Sequence, residues 1–427
     1  MGSEIPRGWQ SRTVDEIAAH APRAIAIGPF GSRMKADCYA AHGVPVIRGN
    51  NISDTKALVG EFVFISEEKA DELASCTVYD GDLVFPHRGL IGEVGLLAGT
   101  NGRYMLSTSL MKLTPNRRVA APAFLFYYFR SPSGRHELLK NASQVGTPGI
   151  ATPLTSLRSI RVPVPPMAEQ ESIAHLLGAL DDKIDLNRRT NETLESIARA
   201  IFKSWFVDFD PVRAKAEGRQ PAGMGAETAA LFPASWEDTP LGPVPAGWGV
   251  SPLGDVCEFA YGRALREDDR RPGAVPVFGS NGQVGWHDTS LVRGPGVVVG
   301  RKGNPGVVTW ADADFFPIDT TFYLLPRNHA SLFWLFHLLE SLGLQLLGSD
   351  SAVPGLNRGM AYMSEVIAPS VAAQRAFDRL AAPPRFTVSQ KEREIRTLAE
   401  IRDALLPKLL SGEIRIRDAE KLVGTHL

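Results

Sequence analysis

The side chains of this chain that could do chemistry lie in short, polar segments that are rich in glycine. Arg48-Gly49-Asn50-Asn51 lies in the first half of the sequence, and Arg301-Lys302-Gly303-Asn304 lies in the second. Arg, Asn and Ser side chains can read base edges, and glycine lets the backbone approach phosphate. We therefore expect these segments to contact DNA, although ordinary turns have a similar composition. The candidate DNA-binding residues are Ser32, Arg33, Arg48, Asn50, Asn51, His87, Arg88, Arg263, Ser280, Asn281, Arg301, Lys302 and Asn304.

Motifs for catalysis and for metal binding are missing from the sequence. It contains no G-x-x-x-x-G-K-[ST] phosphate loop and no G-x-G-x-x-G turn in a βαβ setting. Asp210-Pro211-Val212 approaches the Asp-Pro-Pro-aromatic motif of amino-methyltransferases but lacks the second proline and the aromatic residue. Glu67-Glu68-Lys69 could be half of a nuclease metal site, but a solvated run of charge explains it better. We predict no catalytic residue, no metal site and no cofactor in this chain.

The elements that must position the polar segments occur twice in the sequence. Pro165 and Gln170 open a long amphipathic stretch, and Pro369 and Gln374 open a second one at an offset of 204 residues. A repeat of this length indicates duplicated structural units.

Each amphipathic stretch has the pattern of a paired helix. From Ile173 to Trp205 the seam residues alternate steps of four and three, which is the spacing of a coiled coil. About 36 residues at 1.5 Å each give a helix of roughly 54 Å. We expect the two helices to pair antiparallel, the alternative being that each packs on a neighbouring domain. Pro383-Pro384 should break or kink the second helix, because proline removes a donor and clashes with the preceding turn. The predicted pairing residues are Leu177, Leu180, Ile184, Leu194, Ile201, Ile395, Leu398, Leu405 and Leu409.

The segments that precede the two helices also resemble each other. AVPVFGSNG (274–282) echoes VPVIRGNN (44–51), and dense apolar runs at 121–131 and 331–347 are typical of buried helices. The sequence thus predicts an α+β fold with a pseudo-two-fold internal repeat, in which two similar mixed α/β domains are joined by two long antiparallel coiled-coil helices. The predicted organisation is a first domain at 1–165, a central long helix at 166–211, a linker at 212–243, a second domain at 244–368 and a C-terminal long helix at 369–427.

Composition sets the broad class of the protein. The 427 residues are 44% hydrophobic and 22% charged, with a formal net charge of −1. A neutral total can hide a local basic face, so it does not exclude DNA binding. Cys38, Cys76 and Cys257 are far apart, which argues against a zinc site or a disulfide framework. The sequence has neither a signal-peptide core nor an apolar run of about 18 residues, so a cytoplasmic location without a membrane span is expected.

The order of several motifs resembles that of the specificity subunit of Type I restriction-modification systems. No single motif is specific, but their order is, and with the repeat they cover nearly the whole chain. The motifs are PPMAEQ (165–170), FKSWFVDFDPV (202–212), FGSNG (278–282), GRKGNPGVV (300–308) and IRDALLPKLLSGEI (401–414).

This resemblance implies a function and a set of partners. The two domains would be target-recognition domains, each reading half of an asymmetric bipartite site in double-stranded DNA, with the helices as a spacer. The chain itself would not be catalytic. It would recruit two modification subunits, which methylate adenine with S-adenosylmethionine, and restriction subunits, which use ATP and Mg²⁺ to cleave DNA. Two other functions stay open: a coiled-coil scaffold with two ligand- or protein-binding domains, and a DNA enzyme with its own nuclease activity.

Overall fold

The computed structural model describes residues 6–31, 33–143, 148–347 and 355–424. The chain divides into two compact units. Unit 1 comprises Met1–Arg189 together with Glu392–Leu427, and unit 2 comprises Thr190–Lys391. Both boundaries fall inside long helices, so each unit contains part of both helices.

Short strands build the globular part of unit 1. They are β1 (Gln10–Thr13), β2 (Ile25–Ile27), β3 (Tyr39–Ala40), β4 (Val44–Ile47), β5 (Val63–Ile65), β6 (Thr77–Val78), β7 (Leu83–Pro86), β8 (Gly95–Leu96), β9 (Tyr104–Leu106), β10 (Leu110–Leu113), β11 (Ala142–Ser143), β12 (Gly149–Ile150) and β13 (Arg161–Val164). An antiparallel sheet has the order β2-β10-β7-β8, and a second sheet has the order β3-β5-β4-β9-β6 with β4 and β9 parallel. β1 pairs with β13, which leads into the first long helix.

Unit 2 is built from strands in a similar arrangement. They are β14 (Trp236–Thr239), β15 (Gly242–Pro245), β16 (Gly249–Pro252), β17 (Cys257–Tyr261), β18 (Val275–Gly279), β19 (Gly282–His287), β20 (Gly296–Gly300), β21 (Val308–Ala311), β22 (Phe316–Pro317), β23 (Thr321–Pro326) and β24 (Glu365–Ala368). An antiparallel sheet has the order β17-β23-β20-β21, and β18 lies between β19 and a parallel β22. β16 pairs with β24.

The helices complete both units. They are α1 (Val14–Ile17), α2 (Glu67–Glu72), α3 (Pro122–Arg130), α4 (Pro132–Leu139), α5 (Pro153–Ser159), α6 (Met167–Phe206), α7 (Asp210–Ala216), α8 (Ala226–Ala229), α9 (Leu253–Val256), α10 (Leu332–Ser341), α11 (Arg358–Met363), α12 (Val371–Ala381), α13 (Pro383–Leu410) and α14 (Ile416–Val423). The two dense apolar runs form α3 and α10, and both helices are largely buried, as the sequence predicts.

The two units repeat one sheet plan, which confirms the predicted internal repeat. β2-β10-β7-β8 corresponds to β17-β23-β20-β21, and the β1-β13 pair corresponds to β16-β24. Gly28 and Gly262 follow β2 and β17 at equivalent places. A Cβ atom on Gly28 would lie 1.9 Å from the carbonyl oxygen of Ser107, and one on Gly262 would lie 2.1 Å from that of Ile318. Only glycine allows the backbone to approach so closely.

The repeated glutamine explains how each long helical segment is attached to its globular part. The side chain of Gln170 donates to the carbonyl oxygen of Pro165 at 2.9 Å and accepts from the N–H of Ala121, just before α3, at 2.8 Å. Gln374 makes the same two bonds, donating to Pro369 at 3.0 Å and accepting from the N–H just before α10 at 2.8 Å. Both glutamines are buried. Each therefore fixes the start of its own helix, α6 or α12, against the start of a neighbouring helix, α3 or α10.

The long helices differ in continuity. α6 runs without a break for 40 residues, a length of about 60 Å. The second helical segment is interrupted, because α12 ends at Ala381 and α13 begins at Pro383. The predicted break at Pro383-Pro384 is therefore confirmed, since proline is tolerated in the first turn of a helix but not in its interior.

The prediction that residues 212–243 form a linker is wrong. The segment contains the end of α7, all of α8 and β14, and part of β15. Val212 and Phe232 are 0% and 1% exposed, and the ring of Phe232 lies 5.2 Å from that of Trp205. Burial of these few apolar side chains orders the segment, although its Ala, Gly and Pro content is that of a linker.

Candidate functional site

The helix pair in unit 1 has a continuous apolar seam. Leu177, Leu180 and Ile184 of α6 are fully buried in one hydrophobic cluster with residues of α13. The α13 side of that cluster includes Leu398, Leu405 and Leu409, with Ile395 partly buried against it. Lys183 and Glu394 form an ion pair of 3.5 Å at its edge.

In unit 2 the inward face of α6 is aromatic. Ala198, Phe202, Trp205 and Phe206 are buried there, while Leu194 and Ile201 are only half-buried. Ala198 and Trp205 lie on the predicted heptad seam, but Phe202 and Phe206 each lie one position beyond it, so the strict four-and-three spacing missed them.

Polar contacts show the direction of the pairing in each unit. In unit 1, Arg402 Nη1 of α13 lies 2.7 Å from Asp181 Oδ1 of α6. In unit 2, Asn191 donates to the carbonyl oxygen of Val388 at 3.4 Å, and Arg385 Nη1 lies 3.0 Å from Glu195 Oε1. As the α6 residue number rises, the α13 partner number falls. The helices are antiparallel, as predicted.

A loop of the globular part is anchored on α6 in unit 1. Arg188 donates to both carboxylate oxygens of Asp54 at 2.8 Å, and this bond lowers the pKa of Asp54. The hydroxyl of Thr55 donates to Asp185 at 3.0 Å, while burial raises the pKa of that carboxyl. Lys56 lies 2.8 Å from Asp182. These three consecutive contacts fix the loop to one face of the helix.

The candidate DNA-binding residues of unit 1 separate into exposed and structural side chains. Arg33, Asn50 and Arg88 are exposed, and Arg33 lies 3.6 Å from Glu72. Ser32 lies outside the described residues.

Asn51 and Arg48 of unit 1 form hydrogen bonds within their own part of the chain, and His87 is buried. Asn51 is fully buried, accepts from the N–H of Arg48 at 2.9 Å and donates to Val59 and Glu61 carbonyl oxygens. The guanidinium of Arg48 donates to the same Glu61 carbonyl at 3.1 Å. His87 is 5% exposed, and burial lowers the pKa of its imidazole.

The candidates of unit 2 lie at the ends of strands. Arg263, Asn281, Lys302 and Asn304 are exposed, and Ser280 is half-buried. The amide of Asn304 donates to the side-chain oxygen of Asn281, which joins two of the loops.

Arg301 is the most constrained of the unit 2 candidates. Its N–H donates to Thr320 and its Nη1 donates to the carbonyl oxygen of Asp319 at 2.8 Å. Its guanidinium carbon lies 5.0 Å from the ring centre of Tyr261. The guanidinium carbon of Arg358 lies 4.8 Å from the centre of the same ring. The sequence places Tyr261 in a polar, glycine-rich segment, Tyr261-Gly262-Arg263, from which only Arg263 is a candidate, and sequence reasoning missed Arg358, which lies outside all of these segments.

The first part of the chain matches a known family. Residues 6–196 match the family described as the Type I restriction modification DNA specificity domain. That stretch is assigned to the family of Type I DNA specificity domains, and the whole chain is similar to specificity subunits.

Two Type I specificity subunits match this chain over most of its length. The HindI specificity subunit of Haemophilus influenzae is 26% identical over 379 residues, which cover 73% of this chain and 81% of that protein. The MjaIX specificity subunit of Methanocaldococcus jannaschii is 23% identical over 452 residues, which cover 97% of this chain and 95% of that protein. A crystal structure of a Type I S subunit from M. genitalium has the same fold, with a TM-score of 0.60 at 17% identity, covering 96% of this chain and 97% of that one.

Three further features of the chain bear on its chemistry and its class. Within the described ranges, no group of three or more His, Cys, Asp or Glu residues is arranged to hold a metal ion. Glu67, which could have been part of a nuclease site, instead accepts a hydrogen bond from Arg103 at the start of α2. No helix of the described part is long and apolar enough to cross a membrane.

Proposed function

We propose that this chain is the non-catalytic, DNA-reading subunit of a Type I restriction-modification complex, and that each unit reads one half of an asymmetric bipartite site. One observation carries the proposal: the units share a sheet order but differ in the side chains of equivalent loops. His87 follows β7 in unit 1, whereas Arg301 follows the equivalent β20 in unit 2. Because base contacts come from side chains that a scaffold only positions, this arrangement suits recognition of two different sequences.

The proposed partners are two modification subunits and, where the host encodes them, restriction subunits. The similar proteins are named as specificity subunits of Type I restriction enzymes, which supports assembly with such partners. On this proposal adenine methylation with S-adenosylmethionine, and cleavage with ATP and Mg²⁺, take place on the partner subunits in the cytoplasm.

Sequencing of methylated adenines in the host genome tests this function. Deletion of the gene should abolish methylation at one motif that has two specific halves and a fixed unspecified gap. Expression of the full chain from a plasmid should restore the same motif. A methylation pattern that does not change on deletion would contradict the proposal.

A second experiment separates the proposed function from a nuclease and from a protein-binding scaffold. The purified full chain, with and without the modification subunit, is incubated with a random pool of duplex DNA in Mg²⁺, and bound and cleaved fragments are sequenced. We expect a bipartite motif among the bound fragments and no cleavage by the chain alone. Cleavage by the chain alone would favour the DNA enzyme, and retention of no motif under either condition would favour the scaffold.

A further inference from the structure

An exposed tyrosine in unit 2 lies between two arginines. Tyr261 ends β17 and its side chain is 51% exposed. The guanidinium carbon of Arg301 lies 5.0 Å from its ring centre, and that of Arg358 lies 4.8 Å away. These distances fall within the range of cation–π attraction. We refer to Tyr261, Arg301 and Arg358 as the arginine–tyrosine cluster.

The cluster rests on a rigid base. The ring of Tyr261 lies 5.1 Å from that of Phe322, which is buried and stacks on Phe259 at 5.7 Å. Tyr362 extends this row, with its ring 5.6 Å from that of Phe259 and its hydroxyl accepting from the N–H of Phe259 at 2.7 Å. Aromatic side chains with few rotatable bonds hold their neighbours at little entropic cost.

Both arginines are held by hydrogen bonds to the backbone. Nη1 of Arg301 donates to the carbonyl oxygen of Asp319 at 2.8 Å, and Nη1 of Arg358 donates to that of Phe259 at 3.3 Å. Among the residues that the structure describes, neither arginine forms an ion pair with a carboxylate. Each guanidinium therefore has donors left over at a fixed position, and Lys302 adds an exposed positive charge beside Arg301.

The cluster is not part of the shared scaffold. The equivalent glycines Gly28 and Gly262 place Ile27 of unit 1 where unit 2 has Tyr261. His87 of unit 1 stands where unit 2 has Arg301, since the carbonyl oxygen of His87 accepts from the N–H of Ile150 at 3.0 Å and that of Arg301 accepts from the N–H of Leu356 at 2.9 Å. The sheet of unit 1 forms without this cluster, so the shared sheet plan does not require it.

We propose that Arg301 and Arg358 are the guanine-reading side chains of unit 2, and that Tyr261 positions them. This inference rests on the proposed function. A guanidinium can donate two parallel hydrogen bonds to O6 and N7 of guanine in the major groove, which requires a fixed position and plane. A phosphate contact needs only a nearby positive charge, which a mobile lysine supplies equally well.

The test uses the full chain with its modification subunit and a random duplex pool. Arg358→Ala, Arg358→Lys and Arg301→Ala are each expected to lose preference for guanine at one position of one half-site, by roughly 5- to 150-fold, the equivalent of about 1–3 kcal/mol. The other half-site should be unchanged. Tyr261→Phe should keep the preference, and Tyr261→Ala should weaken it. Arg375→Ala, which removes an exposed arginine of α12, is the charge-matched control.

The outcomes separate this inference from the proposed function. If the unaltered chain selects no bipartite motif, the proposed function itself fails. Suppose instead that the unaltered chain selects a bipartite motif, that Arg358→Lys selects the same motif, and that Arg301→Ala and Arg358→Ala weaken binding to all sequences alike. The arginines then contact phosphate, and the inference is overturned. Circular dichroism melting of each variant verifies folding. The inference is also overturned if Arg301→Ala or Arg358→Ala selects the unchanged motif with unchanged affinity.

Discussion

Arg402 of α13 and Asp181 of α6 form a salt bridge that is almost entirely buried within unit 1. Their nearest atoms are 2.7 Å apart, and their side chains are 5% and 0% exposed. The hydroxyl of Tyr127 in α3 donates to the second oxygen of Asp181 at 2.7 Å, and burial followed by the nearby Asp181 charge raises the pKa of Tyr127. Arg402 also donates to the carbonyl oxygen of Asp54. One buried network thus joins both long helices to the globular part of unit 1.

Removal of one partner of this salt bridge should destabilise unit 1 strongly. Arg402→Ala leaves the carboxylate of Asp181 buried without its cation, which should cost about 3–5 kcal/mol in the free energy of unfolding. Urea denaturation of the full chain, followed by tryptophan fluorescence and circular dichroism, measures this. Lys408→Ala, an exposed residue of the same helix, should change the value by less than about 0.5 kcal/mol. The double variant Asp181→Leu, Arg402→Met should be more stable than Arg402→Ala, and equal losses in all three would contradict the account.

The seam positions of α6 should differ in their tolerance of charge. Ile184 is fully buried against α13, whereas Leu194 is half-buried. Ile184→Asp should therefore cost several kcal/mol, because an unpaired charge enters an apolar site, and Leu194→Asp should cost clearly less. Thermal melting and co-purification with modification subunits are the measurements. A larger loss at Leu194 than at Ile184 would show that the burial pattern of α6 is wrong.

Each repeated glutamine should matter mainly to its own unit. Gln170→Ala leaves the N–H of Ala121 and the carbonyl oxygen of Pro165 without their partner, at a cost of about 1–3 kcal/mol. Amide hydrogen exchange should speed up around α3 after this change, and around α10 after Gln374→Ala. Equal changes in exchange at both helices in either variant would argue against separate roles.

Arg188 should stabilise unit 1 only when Asp54 is ionised. Its hydrogen bonds lower the pKa of Asp54 in the folded chain. The stabilisation is fully present above the ordinary carboxyl pKa of about 3.9 and is lost as the pH falls through the lowered, folded-state pKa. Arg188→Ala should therefore reduce the free energy of unfolding at pH 7 but not at about pH 2. Asp54→Asn serves as the matched variant, and a difference between the wild type and Arg188→Ala that stays constant with pH would contradict this reasoning.

Periodicity and proline placement predicted the elements that depend on local sequence. α3 follows from a dense apolar run, and the break before Pro383 follows from the geometry of proline. The linker prediction failed because composition is averaged over the whole segment, whereas the burial of only a few side chains, such as Val212 and Phe232, orders it.

Residues that act through tertiary contacts were beyond sequence reasoning. Asp181 is off the coiled-coil seam, so the heptad pattern gives no reason to expect its burial, and its contacts with Tyr127 of α3 and Arg402 of α13 appear only in the folded chain. Arg358 meets Tyr261 across almost a hundred residues of chain. Asn51 has the same residue type as a base-reading side chain, but its amide is used by three backbone bonds of its own loop.

An exchange of the second globular part tests the central claim, which is that each unit reads its own half-site. Residues 210–368, from the start of α7 to the end of β24, are replaced by the corresponding segment of a relative whose methylated motif differs. The methylated adenines of cells that express the chimaera with the modification subunit are then mapped by sequencing. The account predicts that one half of the motif becomes that of the relative, while the other half is retained. A motif in which both halves change, or in which neither changes while methylation persists, would contradict independent reading by the two units.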